Sequence, residues 1–182
     1  MKSKKFKKLV VSCDGGAASG KTTGAKMISK KYKLKFLSSG MLYRYTSFLL
    51  LKNSPNNTIP FLKKKFKKIN IKKISKLNLN SQKISEYTSE IAKIKKIRTV
   101  LKNFQVSFAK KNKKCIIEGR DISTEILPHS DVKFYFVCDI KNASKRRFKD
   151  LKKNNKMINL SEVKKSIKQR NMRDKKRKHS PL

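Results

Sequence analysis

The sequence predicts an α/β fold built on a parallel sheet covered by helices on both faces, and three observations carry that prediction. Three short runs, at 9–13, 115–117 and 132–138, are almost wholly apolar, broken only by Ser12 and Lys133, and rich in β-branched residues. Strands buried on both faces read this way, whereas strands with one wet face alternate. Segments of helical period separate the runs, as crossovers between parallel strands require. A small-residue stretch, Gly15–Thr22, lies between the first run and the first helical segment.

Each element follows in order. Leu9-Val10-Val11-Ser12-Cys13, bounded by Asp14-Gly15-Gly16, is the first buried strand. Lys21 to Tyr32 is a helix with Ala25, Ile28 and Tyr32 on one face. Lys35-Phe36-Leu37 is a second short strand. Met41 to Leu51 is an apolar helix, stopped by Asn53-Ser54-Pro55-Asn56-Asn57. Residues 59–80 mix Lys runs with Ile, Leu and Phe at irregular spacing, a pattern that suits short strands or a small helical insert. Ser81 to Lys110 repeats apolar residues with helical period (Ile84, Tyr87, Ile91, Ile94, Leu101, Phe104, Phe108), as one helix or two. Cys115-Ile116-Ile117 is a buried strand ending in Glu118-Gly119-Arg120-Asp121, and Val132 to Cys138 another, ending in Asp139. Asn142 to Lys153 and Leu160 to Lys175 are charged helices. There is no internal repeat, and 182 residues suit a single domain, 1–182.

The composition is extreme in one respect. Fifty Lys and Arg against 11 Asp and Glu give a net charge of +39. Taken alone, that excess points to nucleic acid or another polyanion. Yet 42 of the 50 cations are Lys, spread over nearly every segment beside 16 Ile and 13 Asn. Such a mixture matches a compositional drift of the whole chain, as an A/T-rich genome gives, rather than a local patch. Non-specific polyanion binding is the expected side effect. Cys13, Cys115 and Cys138 each lie in an apolar run, and an odd, unpaired set without nearby His predicts buried free thiols. No run approaches the roughly 20 apolar residues of a membrane span, and Leu9-Val10-Val11 is too short for a signal-peptide core. The expectation is a cytoplasmic protein with no membrane contact.

The chemistry starts at Gly15-Gly16-Ala17-Ala18-Ser19-Gly20-Lys21-Thr22, which fits G-x-x-x-x-G-K-[ST]. Such a loop wraps phosphate with backbone N–H groups, and the helix behind it adds a favourable dipole. Its place after a buried strand and at a helix start is the context that gives the motif meaning. Lys21 is then expected on the β- and γ-phosphates, and the Thr22 hydroxyl on Mg²⁺. The motif establishes a nucleoside triphosphate site without naming the reaction. Phosphoryl transfer needs fixed cations around the moving group, and Arg serves better than Lys because it is planar, always charged and bidentate. In this Lys-rich chain only eight Arg occur, and seven lie in motif-like contexts: Arg44, Arg98, Arg120, Arg146, Arg147, Arg170 and Arg177.

On these residues the chain resembles the bacterial cytidylate kinases of the nucleoside monophosphate kinase group. The resemblance is carried by Asp14-Gly15 with the loop to Thr23, by Ser39-Gly40-Met41-Leu42-Tyr43-Arg44 and Thr88-Ser89-Glu90, and by Ile97-Arg98 and Glu118-Gly119-Arg120-Asp121. Lys168-Gln169-Arg170 through Asp174, Arg177 and Ser180-Pro181-Leu182 complete it. The Gly-Arg-Asp element and the terminal R-x₃-D-x₂-R-x₂-S-P-L element are particular to the family; the phosphate loop is not.

The resemblance implies a three-layer P-loop nucleoside monophosphate kinase fold, with a core at 8–52 and 112–182, an acceptor-binding insert at about 53–111 and a mobile lid at about 142–160. It implies a monomeric enzyme that passes the γ-phosphoryl group of ATP to CMP or dCMP with Mg²⁺. Residues 15–23 (Gly15, Gly16, Ala17, Ala18, Ser19, Gly20, Lys21, Thr22, Thr23) would hold ATP. Arg44, Arg120 and Arg177 would hold the acceptor phosphate, and Ser89, Arg98 and Asp121 would read cytosine. Arg170 and Asp174 would sit near the sugar, with Ser39 lining the same pocket. Lys21, Arg120, Arg146 and Arg147 would act on the transferring group, Arg146 and Arg147 from the lid. Thr22 and Glu118 would serve Mg²⁺.

The base site also has its own logic. Cytosine presents an amino donor beside a ring-nitrogen acceptor, and uracil reverses both, so an Arg donor beside an Asp or Ser acceptor favours cytosine. An ordinary ion pair between Arg98 and Asp121 is the plainer account of the same two residues. Two other functions fit parts of the chain: another small P-loop kinase of adenylate or dephospho-coenzyme A type, and a basic RNA-associated P-loop protein. The Gly-Arg-Asp and Ser-Pro-Leu contexts disfavour the first, and the lack of a concentrated basic stripe disfavours the second.

The chain departs from the family pattern at several points. Gly16 stands where Pro is usual, Ser38 where an acidic residue is usual, Asn171 where Asp is usual, and Glu118 where Asp is usual. The insert is shorter than usual. The family also continues past Ser-Pro-Leu, so the resemblance predicts a C-terminally truncated form that lacks one edge of the sheet and part of the ATP pocket.

Overall fold

A computed structural model describes residues 7–152, 158–176 and 180–182. Four parallel strands, β1 (Leu9–Gly15), β2 (Lys35–Ser38), β3 (Lys114–Glu118) and β4 (Val132–Phe136), lie in the order β2-β3-β1-β4. Leu9 pairs with Lys114, Lys35 with Cys115, and Val11 with Val132. The central strands β1 and β3 therefore end close together: Cys13 pairs with Glu118, and Asp14 and Gly15 extend just beyond that pair.

The continuous apolar runs are explained by burial on two faces. Val10, Leu37, Cys115 and Ile117 join one core with Leu42, Leu62, Ile97 and Leu101. Val11, Cys13 and Ile116 face the other way, against Ala25 and Leu34. Successive residues thus alternate sides while all remain dry. Helix α1 (Lys21–Lys31) covers the second face; α2 (Ser39–Asn53) and α6 (Lys95–Lys111) cover the first.

The ambiguous stretch is helical: α3 (Thr58–Lys67) buries Leu62 and Phe66, four residues apart, and is followed by the single turn α4 (Ile71–Ile74). Two helices, α5 (Gln82–Ile91) and α6, take the place of one long helix across 81–110. Ser81 starts α5, its hydroxyl accepting from the Ile84 N–H at 3.3 Å. A π turn at Ile122–Ile126 follows β3, and α7 (Ile140–Lys152) and α8 (Leu160–Lys176) close the described chain.

Two expectations are corrected at β4. The strand ends at Phe136 rather than 138, and it is mostly exposed, with Phe134 at 40% and Tyr135 at 58%. Among the described residues it is the edge strand and pairs with β1 alone. Run composition does not distinguish an edge strand from a central one. For the same reason Cys138 is not a buried thiol, unlike Cys13 and Cys115. Burial pushes the Cys13 thiol up to about 12, helped by Asp14 and Glu118, and the Cys115 thiol up to about 11, helped by Asp131. Among the described residues no helix is long and apolar enough to cross a membrane.

Candidate active site

The phosphate loop runs from Gly15, at the end of β1, to Gly20, the N-cap of α1. Gly20 has φ 87° and no side chain to cap the helix, and no acidic residue lies in the first turn. The N–H groups of that turn are left for an anion, where the helix dipole favours one. A Cβ on Gly15 would stand 2.4 Å from the Phe136 carbonyl, so β4 can approach only a glycine there. The Lys21 ammonium donates to the Gly16 carbonyl at 3.0 Å. The buried Ser19 hydroxyl has no hydrogen-bond partner among the described residues. Thr22 and Thr23 are exposed in the first turn of α1.

Around the loop the cations converge. Burial lowers the Lys21 ammonium to about 8, and the fields of Arg120 and Arg170 add to the effect against the pull of Glu118 and Asp174. Burial also lowers Arg44 to about 10, reinforced by Arg170 and Arg147. Arg170 is lowered by burial and by Arg147 and Arg173, and is partly relieved by Asp174. Arg170 links the set: Lys21 feels it together with Arg120, Arg44 feels it together with Arg147, and it feels Arg147 and Arg173 in turn. Asp174 pairs with Arg120 at 2.9 Å, and Arg44 donates to the Asn80 side-chain oxygen at 2.7 Å. Arg146 is exposed; its guanidinium donates to the Cys138 sulfur. One of its terminal nitrogens lies 2.8 Å from where a Cβ on Gly20 would stand, so it overhangs the loop.

A second group lies where α5, α6 and the 119–121 loop meet. Arg98 and Asp121 form a buried ion pair. Arg98 also donates to the Ala92 carbonyl at 3.1 Å and lies 5.9 Å from the centre of the Tyr43 ring. Ser89, half-buried on α5, donates to its own helix at the Ser85 carbonyl, 3.3 Å away. Ser39 is buried next to the loop, its Cβ 3.1 Å from where a Cβ on Gly119 would stand. Arg177 and part of the predicted lid, residues 153–157, lie outside the described residues.

The structure adds four groups to which sequence reasoning gave no positive role. Asp14, buried at the end of β1, accepts from the Ile122 N–H at 2.8 Å, the Ser123 N–H at 2.7 Å and the Ser123 hydroxyl at 2.6 Å. It thereby fixes the loop that carries Arg120 and Asp121. Ser38 donates to Glu118 while its oxygen caps α2, accepting from the Met41 N–H at 3.2 Å. Asn80 steadies Arg44, and Asn171 accepts from the Ala17 N–H. Among the described residues no three His, Cys, Asp or Glu side chains gather to hold a metal by themselves. Glu118 and Thr22 suit an ion such as Mg²⁺, which keeps most of its shell as water and phosphate oxygen.

Comparison with known proteins gives one answer. The sequence model of the cytidylate kinase family matches residues 11–182. A cytidylate kinase of Bartonella tribocorum is 34% identical over 182 residues, covering 97% of this chain and 83% of its own. One from Fusobacterium nucleatum is 35% identical, covering 96% and 84%. A bifunctional pantoate ligase/cytidylate kinase of Prochlorococcus marinus is 36% identical over 95% of this chain and 37% of its own. Among solved structures, an uncharacterised protein from Eubacterium ventriosum superposes with a TM-score of 0.52 at 16% identity, over 92% of this chain and 76% of its own. That likeness speaks to the fold.

Proposed function

The chain belongs to the cytidylate kinase family, and from that premise we propose how its residues divide the transfer of a phosphoryl group to CMP or dCMP. The observation that carries the reading is the cluster of like charges: Lys21 and Arg44 are held below their ordinary values by burial and by Arg120, Arg147 and Arg170. A site whose buried cations outnumber the acids paired with them is complementary to phosphates.

In this reading the loop 15–23 binds the phosphates of ATP through the open N–H groups of α1, with Lys21 on the β- and γ-oxygens. Arg44, Arg120 and, beyond the described residues, Arg177 hold the acceptor phosphate, Asn80 fixing Arg44 and Asp174 fixing Arg120. Arg146 and Arg147 approach from α7 and balance charge on the equatorial oxygens as the group moves. Arg98 and Asp121 present a donor beside an acceptor to cytosine, with Ser89 and Ser39 at the pocket wall. Arg170 and Asp174 sit near the sugar. The Thr22 hydroxyl and the Glu118 carboxylate hold Mg²⁺, which when bound offsets negative charge on the donor phosphates. Residues 53–111 form the acceptor-binding insert and about 142–160 the lid of one kinase domain. We take the enzyme as a cytoplasmic monomer whose excess Lys also attracts polyanions.

A coupled ADP-release assay with CMP, dCMP, UMP, AMP and shikimate tests the reading. Turnover with CMP and dCMP above the rest is the expected result. Activity on AMP or shikimate without activity on CMP would overturn it.

A further inference from the structure

One side chain joins the two halves of the site. Asn171 lies on α8, one residue after Arg170 and three before Asp174. Its amide oxygen accepts from the Ala17 N–H at 2.8 Å. The amide also rests on Gly16: a Cβ there would stand 3.2 Å from Oδ1, 3.4 Å from Nδ2 and 3.5 Å from Cγ. Ala17 is buried against Val163 and Ile167 of the same helix. The first turn of the phosphate loop is thus seated on α8 by apolar contact and one hydrogen bond.

Three residues further on, Asp174 pairs with Arg120 at 2.9 Å. Residues three apart share a helix face, so one turn of α8 holds both the donor loop and an acceptor arginine. Asn171 makes its contact with a neutral amide. It satisfies the Ala17 N–H without adding negative charge beside bound phosphate.

We propose that Asn171 is a positioning residue that couples the two nucleotide sites, seating the phosphate loop on the turn of α8 whose Asp174 orients Arg120. Filling the donor loop then favours the acceptor-ready placement of Arg120, and by linkage the reverse holds equally. The proposal rests on the assignment above of ATP to residues 15–23 and of the acceptor phosphate to Arg120.

The test is calorimetric titration of CMP in the absence and presence of saturating β,γ-imido ATP with Mg²⁺. In the unaltered chain the analogue is expected to tighten CMP by about fivefold or more. Asn171→Ala should bring that ratio close to one while changing CMP affinity in the absence of the analogue by less than about twofold. Asn171→Asp keeps an acceptor for Ala17, so the ratio should survive, while the analogue itself binds several-fold more weakly through charge repulsion. An unchanged ratio in Asn171→Ala overturns the proposal, as does equal weakening of CMP with and without the analogue. Should Asn171→Ala fail to fold, Gly16→Ala disturbs the same contact from the loop side and is read by the same ratio. If the unaltered chain binds neither nucleotide, the site assignment falls and the proposal with it. If it binds both without coupling, the proposal alone falls.

Discussion

Replacing Asp14 is predicted to damage both stability and acceptor recognition, because one buried carboxylate organises the whole 119–123 loop. Its Oδ1 accepts from the Ile122 N–H, and its Oδ2 accepts from both the N–H and the hydroxyl of Ser123. Hydrogen bonds to a charged group contribute about 1.5–3 kcal/mol each, and a buried donor left unpaired costs about 1–3 kcal/mol. In Asp14→Asn the amide oxygen can serve the two Ser123 donors, now without the charge. The NH₂ group then meets the Ile122 N–H donor to donor. One bond lost and two weakened sum to about 3 kcal/mol. For a chain of this size that lowers the melting temperature by roughly 6–12 °C. Differential scanning calorimetry reads the first effect, and steady-state kinetics the second: KM for CMP should rise about tenfold, a loss of about 1.4 kcal/mol in binding, with a smaller change for ATP. Ser123→Ala removes only the hydroxyl donor and should cost about 1 kcal/mol. An Asp14→Asn protein that melts within about 2 °C of the parent with unaltered CMP kinetics would refute the reasoning, since about 1 kcal/mol or less would then separate them.

Four further outcomes are expected. Arg98→Ala should relax discrimination between CMP and UMP, checked as the ratio of kcat/KM for the two; unchanged selectivity argues that the Arg98–Asp121 pair is only structural. Nucleotide binding should take up protons between about pH 8 and 10.5, because bound phosphate restores the charge that Lys21 loses from about 8 upward in the free protein. The same lowered value means the unfolded chain binds more protons in that window, so the free protein should gain stability as pH rises through it. Titration of ATP at pH 8.5 in two buffers of different ionisation enthalpy measures the uptake, and zero uptake contradicts the assignment of Lys21. Arg147→Met should lower kcat by about 10²–10³ with little change in KM, as removal of a donor to developing charge does; a pure KM effect would move Arg147 to substrate binding.

The central strands, the helices around them and the phosphate loop were legible because each rests on a local signal. Leu9–Cys13 and Cys115–Ile117 read as strands through continuous apolarity, and both proved buried on two faces. The insert at 59–80 resisted because only Leu62, Phe66, Ile74 and Leu79 are fully buried, at spacings of four, eight and five, while the Lys between them face solvent; anchors so few and so unevenly spaced leave the period undefined. β4 misled for the opposite reason, since Val132–Phe136 is as apolar as a central strand yet sits at the edge. The arginines were legible because they are scarce among lysines. Their convergence was not, since it depends on strand order and on the packing of α8.

Scarcity had a second reading that the count of cations concealed. Only 11 acidic residues stand against 50 basic ones, so any acid that is buried is held there for a reason stronger than solubility. Asp14, Glu118 and Asp121 are the buried acids, and all three lie at or beside the C-terminal ends of β1 and β3. Asp14 fixes a loop through its N–H groups, Asp121 holds Arg98, and Glu118 takes the Ser38 hydroxyl. Asp174, half-buried, holds Arg120. These carboxylates do not neutralise the site, because Lys21 and Arg44 are still held below their ordinary values. They fix where particular cations and N–H groups point and leave the net field positive. In this chain the arginines supply the field for phosphate, and the few buried acids set its geometry.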